Sequence, residues 1–196
     1  LRRVEAVTGQ AVDFVEADIR DRAALSRVLG AGHVDTVVHF AALKVLTESL
    51  QEPARYYEHN VGGTAVLLQA MQDAGVHQLV FSSSAAVYGT PVQVPIPENA
   101  ALLGRNPYAL TKAVGEDLVN AQVQADSRWR AVCLRYFNPV GAHESGLMGE
   151  SPLQAPSNLM PIVCEVALGE RPVLQVFGNQ HPTPDGTCIR DFIHVM

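Results

Sequence analysis

Tyr108 and Lys112 stand four residues apart in the stretch NPYALTKAVGED, a spacing that puts both side chains on one face of a helix, one turn apart. A free tyrosine phenol gives up its proton only near pH ~10, so it is a poor base at neutrality, and an adjacent ammonium favours the phenolate. Lys112 is placed to be that ammonium. Just upstream, the run HQLVFSSS ends in Ser82, Ser83 and Ser84. A hydroxyl such as that of Ser84 can hold an alcohol while Tyr108 removes its proton, which is what hydride abstraction from the same carbon requires. On spacing alone, YxxxK equally describes a half-buried tyrosine beside a solvated lysine. The position of the pair favours the chemical reading, because it opens the helix that follows a buried strand, where a parallel sheet places its ligand site.

The elements that would carry these residues alternate. Short β-rich runs are expected over residues 12–19 and 35–42, then HQLVFSSS and RAVCLRYF. Between them fall helical stretches over residues 22–29, 53–74 and 108–125. Pro53 suits a first helical turn, and Gly75 suits the C-terminal position where φ turns positive. Strand, helix, strand with continuous apolar strands implies an α/β fold with a parallel sheet covered on both faces. The informative residues follow strands: Asp18, then Phe40 to Lys44, then Ser82 to Ser84, then Tyr136 to Asn138. From Pro139 onward Gly, Pro and Asn become frequent and the elements shorten, which reads as a smaller lobe. The expected division is a main domain over 1–138, a partial lobe over 139–188, and a strand over 189–196 that returns to the main domain.

Composition narrows the partner. The chain has 196 residues, 47% hydrophobic and 17% charged, with a net charge of −6 and no Lys/Arg run. That is ample for a core, too polar throughout for a membrane span and wrongly charged for a nucleic-acid surface, so a small molecule is the expected partner. Cys133, Cys164 and Cys188 lie far apart and the histidines form no HExxH, so neither a disulfide framework nor a metal site is indicated. A cytoplasmic enzyme is expected.

Taken together and in order, HFAALK, NVGGT, FSSSAAVYG, YALTK, LRYFNPVGAH, NLMP, VFGN and DGTCIRDFIHVM resemble the extended short-chain dehydrogenase/reductase family, and within it the sugar-nucleotide epimerases. The resemblance spans nearly the whole chain. It implies a Rossmann-like, doubly wound parallel sheet, NAD as cofactor, a UDP-hexose as substrate, and a homodimer. It also implies site residues. Asp18 and Ile19 match positions at the NAD adenine, while Phe40, Ala41, Ala42 and Lys44 match positions lining its phosphates and nicotinamide side. Asn60 matches a helix residue that approaches the cofactor from below, and Ser82 and Tyr136 match further cofactor neighbours. Ser84, Tyr108 and Lys112 match the catalytic serine, tyrosine and lysine, with Lys112 also on the nicotinamide ribose. Phe137 matches a residue near the nicotinamide and Asn138 the first contact to the sugar nucleotide; Lys44, Ser84 and Tyr108 are shared with that substrate site. Asn158, Leu159, Gln175, Val176, Phe177 and Arg190 match positions that hold uridine and diphosphate.

The implied reaction is 4-epimerisation, UDP-glucose to UDP-galactose and back, through a 4-ketose. Sugar-nucleotide dehydratases of the same family resemble a pattern with an Asp-Glu pair where this chain has Ala85 and Ala86, and decarboxylases carry a glutamate near this point. Elimination needs an acid and a base there, and two alanines supply neither. Some features depart from the family. Ala42 stands where Gly is frequent, and KVLTES replaces a run of smaller residues. No GxGxxG occurs, and GAGHVD at Gly30 lies between a helix and a strand. The expectation is therefore the middle portion of such an enzyme, either part of an active whole or an inactive remnant that binds nucleotide without turnover.

Overall fold

Three apolar runs, β1 (Thr36–His39), β2 (Gln78–Ser84) and β3 (Arg130–Tyr136), form one parallel sheet in the order β1-β2-β3. Val38 pairs with Val80 and Val80 with Val132, so side chains alternate in step across all three strands. Parallel neighbours need long crossovers, and helices supply them. α2 (Arg22–Gly30) precedes β1, α3 (Leu46–Gln51), α4 (Pro53–Tyr56) and α5 (Gly63–Ala74) link β1 to β2, and α6 (Pro107–Ala125) links β2 to β3. The computed structural model describes residues 1–152 and 155–196, and these divide into a unit of Phe14–Tyr136, which holds this sheet, and a unit of Leu1–Asp13 with Phe137–Met196.

The core lies on one face of the sheet. Leu79 and Phe81 of β2 point into it and meet Leu29, Leu67, Leu68, Met71, Val119 and Trp129 from the helices and the turn before β3. Trp129 satisfies its buried indole by donating Nε1–H to Gln72 Oε1 at 2.8 Å. Helix ends follow the sequence signals. Asp21 caps α2 by accepting from Ala24 N at 3.0 Å, and Gly75 ends α5 at φ 74°.

Three expectations are corrected. Residues 12–19 form no strand, because no strand among the described residues pairs with them. The sheet is covered on one face only among the described residues: Val38, Val132 and Leu134 on the other face are exposed. The helix expected over 53–74 is three pieces, since α4 passes into a π-helical segment, Tyr57–Gly62, before α5. Such an insertion bulges the backbone and re-aims side chains.

In the second unit, α1 (Arg2–Thr8) stands near the start of the chain. There β4 (Asn138–Val140) pairs in parallel with β5 (Phe192–His194), and α7 (Leu159–Ala167) lies between them in sequence.

α6 touches β2 through a glycine. A Cβ at Gly115 would fall 2.5 Å from Phe81 Cζ, inside the core. Gly115→Ala is expected to destabilise the protein, because overpacking of about 1–3 kcal/mol outweighs the advantage of Ala over Gly in a helix, at most about 1 kcal/mol. A lower urea midpoint at unchanged slope is the expected result, and a raised midpoint would show that the Phe81 ring yields.

Candidate active site

β2 ends on Ser84, whose Oγ accepts from Ala86 N at 3.2 Å and starts a 3₁₀ turn over Ala85–Tyr88. α6 starts on the opposite side of the loop. Asn106 caps it, accepting from Ala109 N at 2.8 Å, and Pro107 fills the first helical position. Tyr108 therefore sits in the first turn and Lys112 in the next. Lys112 is 5% exposed; its Nζ donates to the Ser82 carbonyl at 2.7 Å and stands 5.2 Å from the Phe81 ring centroid.

The electrostatics differ from the sequence expectation. Burial pushes the Tyr108 phenol up from its ordinary value, and the Ser84 hydroxyl beside it pulls it part of the way back. Lys112 was expected to hold the phenolate. Its ammonium is instead committed to Ser82, and burial lowers its own pKa from 10.5 to about 8.

The π segment makes the second part of the site. Asn60, 4% exposed within it, accepts from Leu43 N at 2.9 Å and donates to Leu43 O at 3.0 Å, so its amide holds the loop after β1 the way a strand partner would. The same Nδ2 donates to Thr111 Oγ1 at 3.0 Å, and Thr111 donates to Tyr108 O at 2.8 Å. Asn60 thus ties the loop after β1 to the helix that carries Tyr108 and Lys112. Beneath it, Thr64 gives its hydroxyl proton to Asn60 O at 2.5 Å, so His39 Nε2, 3.0 Å from Thr64 Oγ1, must be the donor in that pair. Burial, with Lys112 near it, lowers His39 to about 4, so this ring is neutral.

Asp18, Ile19, Ala41 and Ala42, far apart in sequence, line one cleft together with Leu43 and His59. Gly63 permits this, since a Cβ there would meet Ile19 Cγ2 at 2.6 Å. Arg20 grips Asp18 at 2.7 Å and Glu58 at 2.6 Å, and that guanidinium holds the Asp18 carboxyl well below the usual range. Phe40 and Tyr136, from the ends of β1 and β3, stack at 6.1 Å with 28° between their planes. Lys44 is exposed at the end of the loop, and Ser82 presents its carbonyl to Lys112.

Sequence reasoning missed His39, Leu43, His59, Thr64 and Thr111. Thr111, three residues after Tyr108, and Thr64, four after Asn60, carried a signal: small hydroxyls on helix faces that already held a site residue.

Apart from Lys44, Ser84 and Tyr108, the residues matched to the sugar nucleotide lie in the unit that contains Phe137–Met196. Asn138 Nδ2 donates to Asp191 O at 2.7 Å, and Asn158 Nδ2 donates to Glu150 Oε1 at 2.5 Å just before α7. Leu159, Val176 and Phe177 are exposed, as are Gln175 and Arg190, and Phe137 is half-buried. Among the described residues these do not join in one hydrogen-bonded cluster.

The parallel sheet with its crossover helices, a serine at a strand end and a cleft at Asp18 has the architecture of a Rossmann-like α/β fold. The chain belongs to the family described as GDP-mannose 4,6 dehydratase, whose model matches residues 1–196. It is 50% identical over its whole length to the UDP-glucose 4-epimerase of Neisseria meningitidis serogroup A / serotype 4A and 51% identical to that of Bos taurus. Its fold superposes on the UDP-glucose 4-epimerase of Bifidobacterium longum in complex with NAD⁺ and UDP at a TM-score of 0.95 and 48% identity, over 100% of this chain and 58% of that one. The enzyme from Stenotrophomonas maltophila, with bound NAD and formylated UDP-arabinopyranose, gives 0.94 and 48% over 99% of this chain. The chain spans 58% of the Neisseria protein and 57% of the bovine one.

Lys112 gives a test with a definite sign. Between pH ~8 and 10.5 the folded lysine is neutral while the unfolded one keeps its proton, so the unfolded state binds more protons and stability rises with pH. Lys112→Met lacks that gain. The stability of the parent relative to Lys112→Met is expected to grow by on the order of 3 kcal/mol across this window, read from urea unfolding at a series of pH values. A pH-independent difference would show that burial leaves the ammonium unperturbed.

Proposed function

We propose that the gene-encoded protein is an NAD-dependent 4-epimerase that interconverts UDP-glucose and UDP-galactose. The observation that carries this reading is the convergence of Ser84, Tyr108 and buried Lys112 at the C-terminal end of β2, followed by Ala85 and Ala86. A proton-moving phenol is present, and the carboxylates that an elimination would need are not in that turn.

The residues fit a dinucleotide. The cleft beside Asp18 combines the apolar wall of Ile19, Ala41, Ala42 and Leu43 with a carboxylate held ionised by Arg20. An ionised carboxylate accepts from hydroxyl or amine groups, and the apolar wall suits a base. NAD, when bound, supplies the hydride acceptor and donor for the sugar C4. Ser84 holds the 4-hydroxyl by hydrogen bond. Tyr108, in its phenolate form, takes the proton of that hydroxyl as the C4 hydrogen leaves, and as the phenol returns it when the ketone is reduced from its other face. Lys112, one helical turn away, contributes positive charge while protonated and fixes the cofactor ribose. Asn60 keeps the Ala41–Lys44 loop and α6 in register as the cofactor and sugar turn over. In the second unit Asn138, Asn158, Leu159, Gln175, Val176, Phe177 and Arg190 are proposed to hold UDP, the guanidinium serving the diphosphate.

A cytoplasmic homodimer completes the proposal. α3 and α6 pack together and leave Leu46, Leu50 and Leu110 exposed, apolar groups that a second copy would cover. No helix among the described residues is long and apolar enough to cross a membrane.

Tyr108→Phe removes the proton carrier and little else. Its turnover of UDP-galactose is expected to fall about 10²–10⁴-fold, with KM changed far less and cofactor retained. Near-parental turnover would sink the assignment of Tyr108 as the proton carrier.

A further inference from the structure

On the face of α6 that meets the sheet, one turn beyond Lys112, lies Glu116, 3% exposed and outside the proton path. Ser83 Oγ donates to its Oε1, and Arg135 grips it from β3, Nε to Oε1 at 2.9 Å and Nη2 to Oε2 at 2.7 Å. The same guanidinium extends further. Its Nη1 donates to Tyr88 Oη at 2.8 Å and to the Glu98 carbonyl at 2.8 Å, and its carbon lies 4.9 Å from the Tyr88 ring centroid. Arg135 therefore touches α6, the 3₁₀ turn that follows Ser84, and the loop that leads into α6. On β2, Ser82 O holds Lys112 and Ser83 Oγ holds Glu116, so consecutive strand residues pin consecutive turns of the helix.

We propose that Glu116 and Arg135 are positioning residues whose ion pair sets the spacing between Ser84 and Tyr108, a role that rests on the epimerase reading above. Strand β2 delivers Ser84 and helix α6 delivers Tyr108, and nothing in either element alone fixes the distance between them. The Arg135 fork does so by hydrogen-bonding to the helix on one side and to the turn after Ser84 on the other. Stability does not explain the pair: buried ion pairs are weak stabilisers, and apolar residues of similar volume hold such elements together at least as well. What an apolar pair lacks is directional bonds that fix three elements in one register.

The test uses the gene-encoded protein with its cofactor. The double variant Glu116→Gln/Arg135→Met removes both charges and leaves no buried ion unpaired. Its kcat with UDP-galactose is expected to fall about 30- to 100-fold, while KM stays within about threefold and the melting temperature stays near that of the parent. Tyr88→Phe keeps the ion pair and loses one bond to the turn, so a kcat loss of about 3- to 10-fold is expected. A folded double variant with kcat within about twofold of the parent overturns the proposal, and should that variant not fold, Tyr88→Phe decides by the same criterion. A loss of activity that merely matches the loss of folded protein also overturns it. If the parent does not interconvert UDP-hexoses, the epimerase reading is what fails. The positioning claim is then judged from crystal structures of parent and Tyr88→Phe, where an unchanged Ser84 Oγ to Tyr108 Oη separation overturns it and a lengthened one supports it.

Discussion

Helix α6 is seated on strand β2 over a buried ammonium. Lys112 points its Nζ at the Ser82 carbonyl, 2.7 Å away, under a cover that leaves it 5% exposed. Removing an ammonium from water costs several kcal/mol before relaxation, and one hydrogen bond to a neutral carbonyl does not repay it in full. The deficit shows as the lysine's lowered pKa, about 8. It is tolerated because the surroundings hold it in place: Phe81 presents its ring, and Gly115 lets the helix come close enough for that contact. Once the helix is seated, Tyr108 and Ser84 are brought to the same end of the sheet.

Hydrogen bonds also link the cleft beside Asp18 to the first turn of α6. Asn60 sits in a π-helical turn, where the extra residue aims its side chain inward. One amide then bonds both backbone groups of Leu43 and, through Thr111, the first turn of α6. A shift of the loop after β1 is therefore felt at Tyr108. His39 and Thr64 support Asn60 from below with a neutral, fully directed chain of hydrogen bonds.

Much of this was legible in the sequence. The run HQLVFSSS with YALTK behind it marked β2 and α6, and it placed Tyr108 and Lys112 on one face of that helix. That Asp18, Ile19, Ala41 and Ala42 line one cleft was legible only through the family resemblance. The charge logic was not, because a Tyr–Lys spacing says nothing about what else the ammonium meets; the Ser82 carbonyl and the burial decide that. The π segment was hidden for a related reason, as YYEHNVGG reads as uninterrupted helix. Residues 12–19 looked like a strand by composition, but a strand exists only where another strand pairs with it. The uridine-binding assignments in the second unit came from motif resemblance alone, and exposed Phe177 and Arg190 gain no added geometric support.

Structures similar to this chain include the UDP-glucose 4-epimerase of Bifidobacterium longum in complex with NAD⁺ and UDP, and the turn after Ser84 carries Ala85 and Ala86 rather than a carboxylate pair. In the proposed cycle the C4 hydrogen leaves the sugar as hydride and returns to the same carbon. The most direct measurement incubates the purified gene-encoded protein, with no NAD added, with UDP-galactose deuterated at C4, and follows the label by mass spectrometry and NMR. UDP-glucose that forms with deuterium retained at C4 is the expected result. Loss of the label to solvent, or a requirement for a stoichiometric external oxidant, would contradict it.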